Sequence, residues 1–461
     1  MYLKAAYIVP HPPLIIPGVG RGQEKQISKT VEAYHCIARD IGRLKPDTVI
    51  VITPHSVMYQ DYIHISPGSS ASGDLRSFGD QNTHIKVDYD TEMVNMIEEL
   101  AGRAGLAAGT LGERDKRLDH GVIVPLFFID QYLENYRLVR ISISGLNFID
   151  HYRLGKCITE AAEKLGRSIV IAASGDLSHR LKEEGPYSYA EEGPAFDKSV
   201  TEAMACGDFL AFMKFREDFC DAAGECGLRA FIIMAGALDG MSVDPDLLSY
   251  EGPFGVGYAV AAFHPAKPED ARRFDVLYLE EAETERELIR ENEDDLVSLA
   301  RLSLETYVKE RKYIERPPGL PKELIKHKAG VFVSLKKDGR LRGCIGTISP
   351  VSECIAEEII NNAVSAGTGD PRFDPVTEDE LNELIYSVDV LGEAEPIKSM
   401  DELDVLRYGV IVTKGSRRGL LLPNLEGVTT PEQQVGIALK KAGISPGDNY
   451  KIERFEVVRH K

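Results

Sequence analysis

The run Ser168-Ile169-Val170-Ile171-Ala172-Ala173-Ser174-Gly175-Asp176-Leu177-Ser178-His179 decides the reading of this chain. Its apolar first half is too short for a helix and predicts a strand over Ser168–Ala173. Ser174 to Ser178 then carry the chain past the strand's carboxyl end to a histidine. The same arrangement occurs twice upstream: His11 follows the strand predicted over Tyr2–Val9, and His55 follows the one over Thr48–Thr53. Further strands are predicted over Arg137–Ser144 and Val256–Phe263. Helices are predicted over Glu24–Arg43, Thr91–Ala104, Phe196–Lys214 and Gly227–Leu238 from apolar residues at three- and four-residue spacing. Short strands alternating with amphipathic helices imply an α/β N-terminal domain, with a layered central sheet and helices on its faces.

Past His264 the composition turns to Pro265-Ala266-Lys267-Pro268-Glu269-Asp270 and then to an acidic helical stretch, Glu280–Asp295, which places a boundary near residue 275. Residues 271–290 read as a linker or bridging helix between a domain at 1–270 and a smaller α+β domain at 291–461. The second domain opens with a helix, Leu296–Lys309. A hairpin follows, Val331–Leu335 and Arg340–Ile345 joined through Asp338-Gly339. A second hairpin is expected over Gly409–Leu422, helices over Val351–Ala366 and Pro431–Ala442, and a last strand over Tyr450–Val458.

Composition narrows the function classes. The 461 residues, 43% of them hydrophobic, suffice for two cores. Lys and Arg number 54 against 73 Asp and Glu, a net charge of −19 that repels nucleic acid and anionic lipid. Seven scattered cysteines without a CxxC pair argue against a disulfide framework or a zinc knuckle. With neither a signal-peptide pattern nor an apolar run of about 20 residues, the expected location is the cytoplasm.

Ligands of layered α/β sheets bind beyond the carboxyl ends of the strands, so His11, His55 and His179 are candidates to converge there. One loop histidine is ordinarily a polar surface residue; three at successive strand ends are not so easily dismissed. His120, in Asp119-His120-Gly121, is a further candidate at a loop or helix start, where Asp119 could simply cap the helix. Glu225 and Cys226 precede the Gly227–Leu238 helix. Glu225 there either complements the helix dipole or joins two imidazoles in a 2-His-1-carboxylate set suited to iron(II). A Cys226 thiolate in its place would make a softer set, less suited to ring cleavage.

Residues 1 to about 265 resemble the LigB superfamily of class III extradiol dioxygenases and the related Memo family, through His11-Pro12-Pro13, Thr53-Pro54-His55, Asp119-His120-Gly121, the Gly175-to-His179 string and Glu225-Cys226-Gly227. The resemblance implies an oxidoreductase with His11, His55 and Glu225 as iron(II) ligands, His179 as acid/base and His120 as substrate-side donor, acting on a catechol-like small molecule. Zinc or another divalent metal would fit two histidines and a carboxylate as well. In the Memo branch a cysteine faces the metal, so Glu225 and Cys226 compete for one role, with Glu225 favoured as the commoner hard ligand.

Residues from about 290 onward resemble the AMMECR-type domain, through Leu341-Arg342-Gly343-Cys344-Ile345-Gly346, Asp370-Pro371-Arg372-Phe373 and Arg417-Arg418-Gly419. Arg342, two residues before Cys344 on a strand, is expected on the same face, where it would favour the thiolate. Cys344 could equally be a small buried residue packed between glycines. Arg372 and the Arg417-Arg418 pair could complete an anion site there. Together the halves resemble an AmmeMemoRadiSam system, which implies a radical SAM partner; the alternative to ring cleavage is then a metal-binding maturation or interaction protein. A homo-oligomer is compatible with the sequence.

Overall fold

The computed structural model describes residues 2–185, 187–425 and 427–461. The chain divides into two compact units, Met1–Glu280 and Glu281–Lys461.

In the first unit, a six-stranded sheet runs in the order Arg137–Ser142, Thr48–Thr53, Ile169–Ser174, Leu3–Val9, Tyr258–Pro268, Met241–Glu251. The first four strands are parallel and the last two antiparallel. Alternate side chains of the parallel strands enter two separate cores. Ala6, Ile8, Ile50, Ile52 and Ile171 pack on one face with helices Phe148–Leu165 and Leu228–Ala237; Tyr7, Val9, Val49, Val51 and Val170 pack on the other with helices Ser28–Leu44 and His120–Ile129. Burial on both faces explains the unbroken apolar runs of these strands.

Register decides where the chemistry falls. Val9 pairs with Ser174, Ile52 with Ala173 and Thr53 with Ser142, so three of the histidine-bearing loops leave one edge of the sheet at the same level.

Two expectations change. The helix expected over Phe196–Lys214 is two, Glu192–Cys206 and Phe209–Lys214, because Gly207 takes a left-handed φ of 67° and ends the first. The acidic helix begins earlier than composition suggests, at Phe274, and ends at Glu291. The edge strand Met241–Glu251 was not among those predicted.

In the second unit, a seven-stranded antiparallel sheet packs against helices Asp295–Glu310 and Ile355–Thr368. Its first hairpin turns on Asp338 and Gly339, both at positive φ (51° and 76°), as a tight two-residue turn requires. Among the described residues no helix is long and apolar enough to cross a membrane, and all seven cysteines are unbridged.

Candidate metal centre

His11 leaves its strand buried, and its backbone N–H donates to Asp176 Oδ1 at 2.8 Å. Its ring Nδ1 lies 3.0 Å from Ser174 Oγ, which turns Nε2 toward His55 Nε2, 2.9 Å away. Cys226 Sγ lies 3.6 Å from the same His11 Nε2. The donor atoms of His11, His55 and Cys226 all fall within 4.8 Å of one another, close enough to share one cation.

Cys226 reaches this point through a close approach of two glycines. A Cβ on Gly175 would meet Gly227 Cα at 2.1 Å, so only glycine lets the Ile169–Ser174 strand exit press against the start of the Leu228–Ala237 helix. That contact carries the Cys226 N–H to the Asp176 carbonyl, 3.4 Å away.

The register that brings in Cys226 takes Glu225 away, against the sequence-based preference. The Glu225 carboxylate accepts the Leu228 N–H at 2.7 Å, capping the helix rather than facing the histidines. A helix start has room for one side chain toward the sheet edge and one back along its own first turn; here the thiol takes the first place.

His120 and His179 complete the surroundings. The His120 ring lies on His55 with centroids 4.1 Å apart and 5.4 Å from that of His11. Asp119 precedes it without capping the helix. It accepts from Thr53 Oγ1 at 2.7 Å instead, and Thr53 Oγ1 in turn accepts the His55 N–H at 3.2 Å. His179 Nδ1 sits 2.6 Å from the Gly224 carbonyl, which can only accept, so the neutral ring carries its proton on Nδ1 and leaves the Nε2 lone pair for other work.

The electrostatics hold the clustered groups uncharged. Burial, then the neighbouring imidazoles, pushes His11 well below its ordinary pKa. His55 stands exposed at the rim but is hemmed in on its inner side; desolvation there, then His120, lowers it to about 4. Burial lowers His120 to about 4 as well. Burial raises Asp176 to about 7, and burial followed by Asp176 and Glu225 pushes the Cys226 thiol up. Neutral imidazoles present lone pairs, and a bound divalent ion would draw the proton from the thiol. The donor set therefore fits a metal ion, with Ser174 orienting His11 as an outer-shell partner does.

Sequence reasoning passed over several of these groups. Ser174 and Asp176, both between the strand over Ser168–Ala173 and His179, carry no signal of a role in the sequence. Arg140, in the strand Arg137–Ser142, is fully buried. It donates to Ser66 Oγ and the Arg117 carbonyl, both at 2.6 Å, lies 3.4 Å from Glu113, and lies 3.9 Å from Asp119. An arginine inside an apolar strand was the signal.

The second candidate cluster is arranged otherwise than expected. The partner of the strand Arg340–Gly346 shifts from Gly343↔Leu335 to Leu341↔Lys336, leaving Arg342 as the extra residue of a bulge. Its guanidinium grips Glu380 in two bonds of 2.9 and 2.8 Å rather than the thiol. Cys344 Sγ accepts from Ser334 Oγ at 3.2 Å. Arg372 is locked onto Asp370 and reaches the Cys344 carbonyl at 3.3 Å. Arg417 donates to the Gly443 carbonyl and Arg418 to Ser349, so neither is committed to Cys344.

The family model described as the catalytic LigB subunit of aromatic ring-opening dioxygenase matches residues 5–261, and that of AMMECR1 matches residues 297–460. Protein CA_C1420 of Clostridium acetobutylicum is 43% identical over 469 residues, spanning all of both chains. A Thermotoga maritima protein is 52% identical over 160 residues, 34% of this chain and 92% of its own. Among solved structures, uncharacterized protein PH0010 from Pyrococcus horikoshii is 36% identical, covering 36% of this chain and 88% of that one with a TM-score of 0.34. Uncharacterized protein JW3007 from Escherichia coli K12 is 13% identical, covering 56% and 99% with a TM-score of 0.35.

Proposed function

The chain belongs to the LigB family, with an AMMECR1 domain fused behind it, and we propose that its N-terminal domain is a cytoplasmic, mononuclear non-haem metal enzyme of the extradiol dioxygenase type. His11, His55 and Cys226 hold the metal, and the substrate is a catechol-like small molecule. The observation that carries this reading is the convergence of those three donors within 4.8 Å beyond the ends of parallel strands. Iron(II) bound there would supply open positions for a chelating substrate and dioxygen.

The protein's own part is proton handling and orientation. His179, with its proton on Nδ1 and burial holding its pKa below the ordinary imidazole value, is neutral and takes the substrate's hydroxyl proton at Nε2, from which it can return it. His120, held beside His55, donates to the substrate side, and the Thr53–Asp119 bond fixes both histidine-bearing loops.

Cys226 supports a second reading. A thiolate in place of a carboxylate softens the set toward zinc and away from ring cleavage. The protein would then be a metal-binding maturation or interaction component of an AmmeMemoRadiSam system, working with a radical SAM protein.

Metal analysis and oxygen uptake separate the two. On the first reading, reduced protein carries about one iron per chain, loses it in His55→Ala and Cys226→Ser, keeps it in Glu225→Gln, and consumes oxygen with catechols. Iron retained in both ligand variants removes the site. Metal present without oxygen uptake, together with co-purification of a radical SAM protein, selects the second reading.

A further inference from the structure

Two large aromatic side chains stand exposed, one against His120 and the other against His179, the two histidines that surround the candidate donors. Phe78 is 41% exposed and meets the His120 ring at 5.2 Å between centroids and 64° between planes. Tyr187 is 59% exposed and meets the His179 ring edge-to-face at 5.7 Å and 89°. Both rings ride on anchored backbone. The turn Arg76–Phe78 closes on Gly79, whose carbonyl accepts from Arg21 at 3.2 Å. The Tyr187 loop is tied by Arg180 Nε to the Ser188 carbonyl, and by the Ala190 N–H to the Arg180 carbonyl, both at 3.1 Å.

We propose that Phe78 and Tyr187 form an aromatic rim that recognises the ring of a planar, chelating substrate; the proposal rests on the metal-enzyme reading above. The donors His11, His55 and Cys226 see only a ligand's chelating atoms, so they do not distinguish an aromatic chelator from an acyclic one. Rings that touch the histidines edge-on keep apolar surface available for a planar guest, and offset or edge-to-face contacts with such a guest supply the missing discrimination. Because the backbone on either side of both rings is tied down, less ordering cost offsets those contacts.

The test uses the full-length, metal-loaded protein and two bidentate oxygen chelators, 4-nitrocatechol, which has a ring, and acetohydroxamate, which has none. Phe78→Ala and Tyr187→Ala are each expected to weaken 4-nitrocatechol binding about three- to tenfold, the worth of one aromatic contact. Acetohydroxamate binding and metal content should stay within about twofold, and Tyr187→Phe should bind 4-nitrocatechol as the parent does. Equal loss of both chelators, or loss of neither, overturns the rim while leaving the metal enzyme standing. A parent protein that binds acetohydroxamate but not 4-nitrocatechol overturns the catechol reading and the rim together.

Discussion

Cys226 and Cys344 each lie among ionisable side chains, and the two neighbourhoods settle their charge in opposite ways. Around Cys226 the basic groups are imidazoles pushed toward neutrality, and the nearby carboxyls Asp176 and Glu225 are raised by burial to about 7. Around Cys344 three guanidinium groups already hold carboxylates. Arg342 grips Glu380, Arg372 grips Asp370 and Arg459 grips Asp389. Those pairs hold Glu380 down at about 2 and Asp370 well below its usual range. Uncharged donors without a counter-ion suit a cation, whereas guanidinium groups already paired with carboxylates offer less for a ligand to neutralise. The Arg342–Glu380 pair also braces the bulged strand.

The largest expected effect tests whether the first neighbourhood depends on one buried charge. Replacing Arg140 with Met leaves Glu113 and Asp119 without their cation and two loop carbonyls without a donor. Removing one partner of a buried pair costs about 3–5 kcal/mol, so denaturant unfolding of the N-terminal unit should show a loss of that size, with metal retention falling as the Asp119–His120 segment loosens. A loss under about 1 kcal/mol would place Arg140 among ordinary surface-like charges.

A somewhat smaller effect separates the two units by pH. Burial raises Asp197 to about 6 from 3.8, so the fold favours its neutral acid. The stability this contributes is complete below pH 3.8 and is lost as pH rises through 6, a swing of about 3 kcal/mol. Glu380 is the reverse: held at about 2 by Arg342, it stabilises above pH 4.5 and that gain disappears as pH falls through 2. The buried histidines of the same unit, lowered from 6.5, act in the opposite direction over this window, so the comparison is between parent and Asp197→Asn: hydrogen exchange across pH 4 to 6 should show the N-terminal unit of the parent losing stability relative to the variant as pH rises, while the C-terminal unit behaves alike in both. Equal N-terminal slopes in parent and variant would remove Asp197 from the contrast.

The smallest effect falls on Cys344. With its neighbouring guanidinium groups engaged by carboxylates, Cys344→Ser should change stability by less than about 1 kcal/mol and leave metal content unchanged, measured beside Cys226→Ser. Loss of metal in both variants would mean that the two thiols are not the different things described above.

Much of this was legible in the residues alone. Unbroken apolar runs ending in histidine at His11, His55 and His179 identify the strands and the edge from which the loops emerge, and Asp338-Gly339 identifies a hairpin. Both signals are local: strand burial and turn geometry act on a few consecutive residues, so a short window contains them. The helix break at Gly207 was missed because the apolar spacing continues across it, and the bulge at Arg342 because strand alternation assumes an unshifted partner.

The sequence by itself determined that the chain has an α/β half and an α+β half, which histidines leave the sheet, and which family motifs they sit in. Only the tertiary structure decided that Cys226 and not Glu225 turns toward them, since that choice hangs on Gly175 and Gly227, far apart in the chain, approaching each other in space. It also decided that Arg342 serves Glu380, that Arg140 ties down the loop ahead of His120, and that Phe78 meets His120 and Tyr187 meets His179. The reason is physical: periodicity and propensity are properties of neighbours in the chain, whereas the direction of a side chain at an element's end is set by whatever distant backbone packs against it.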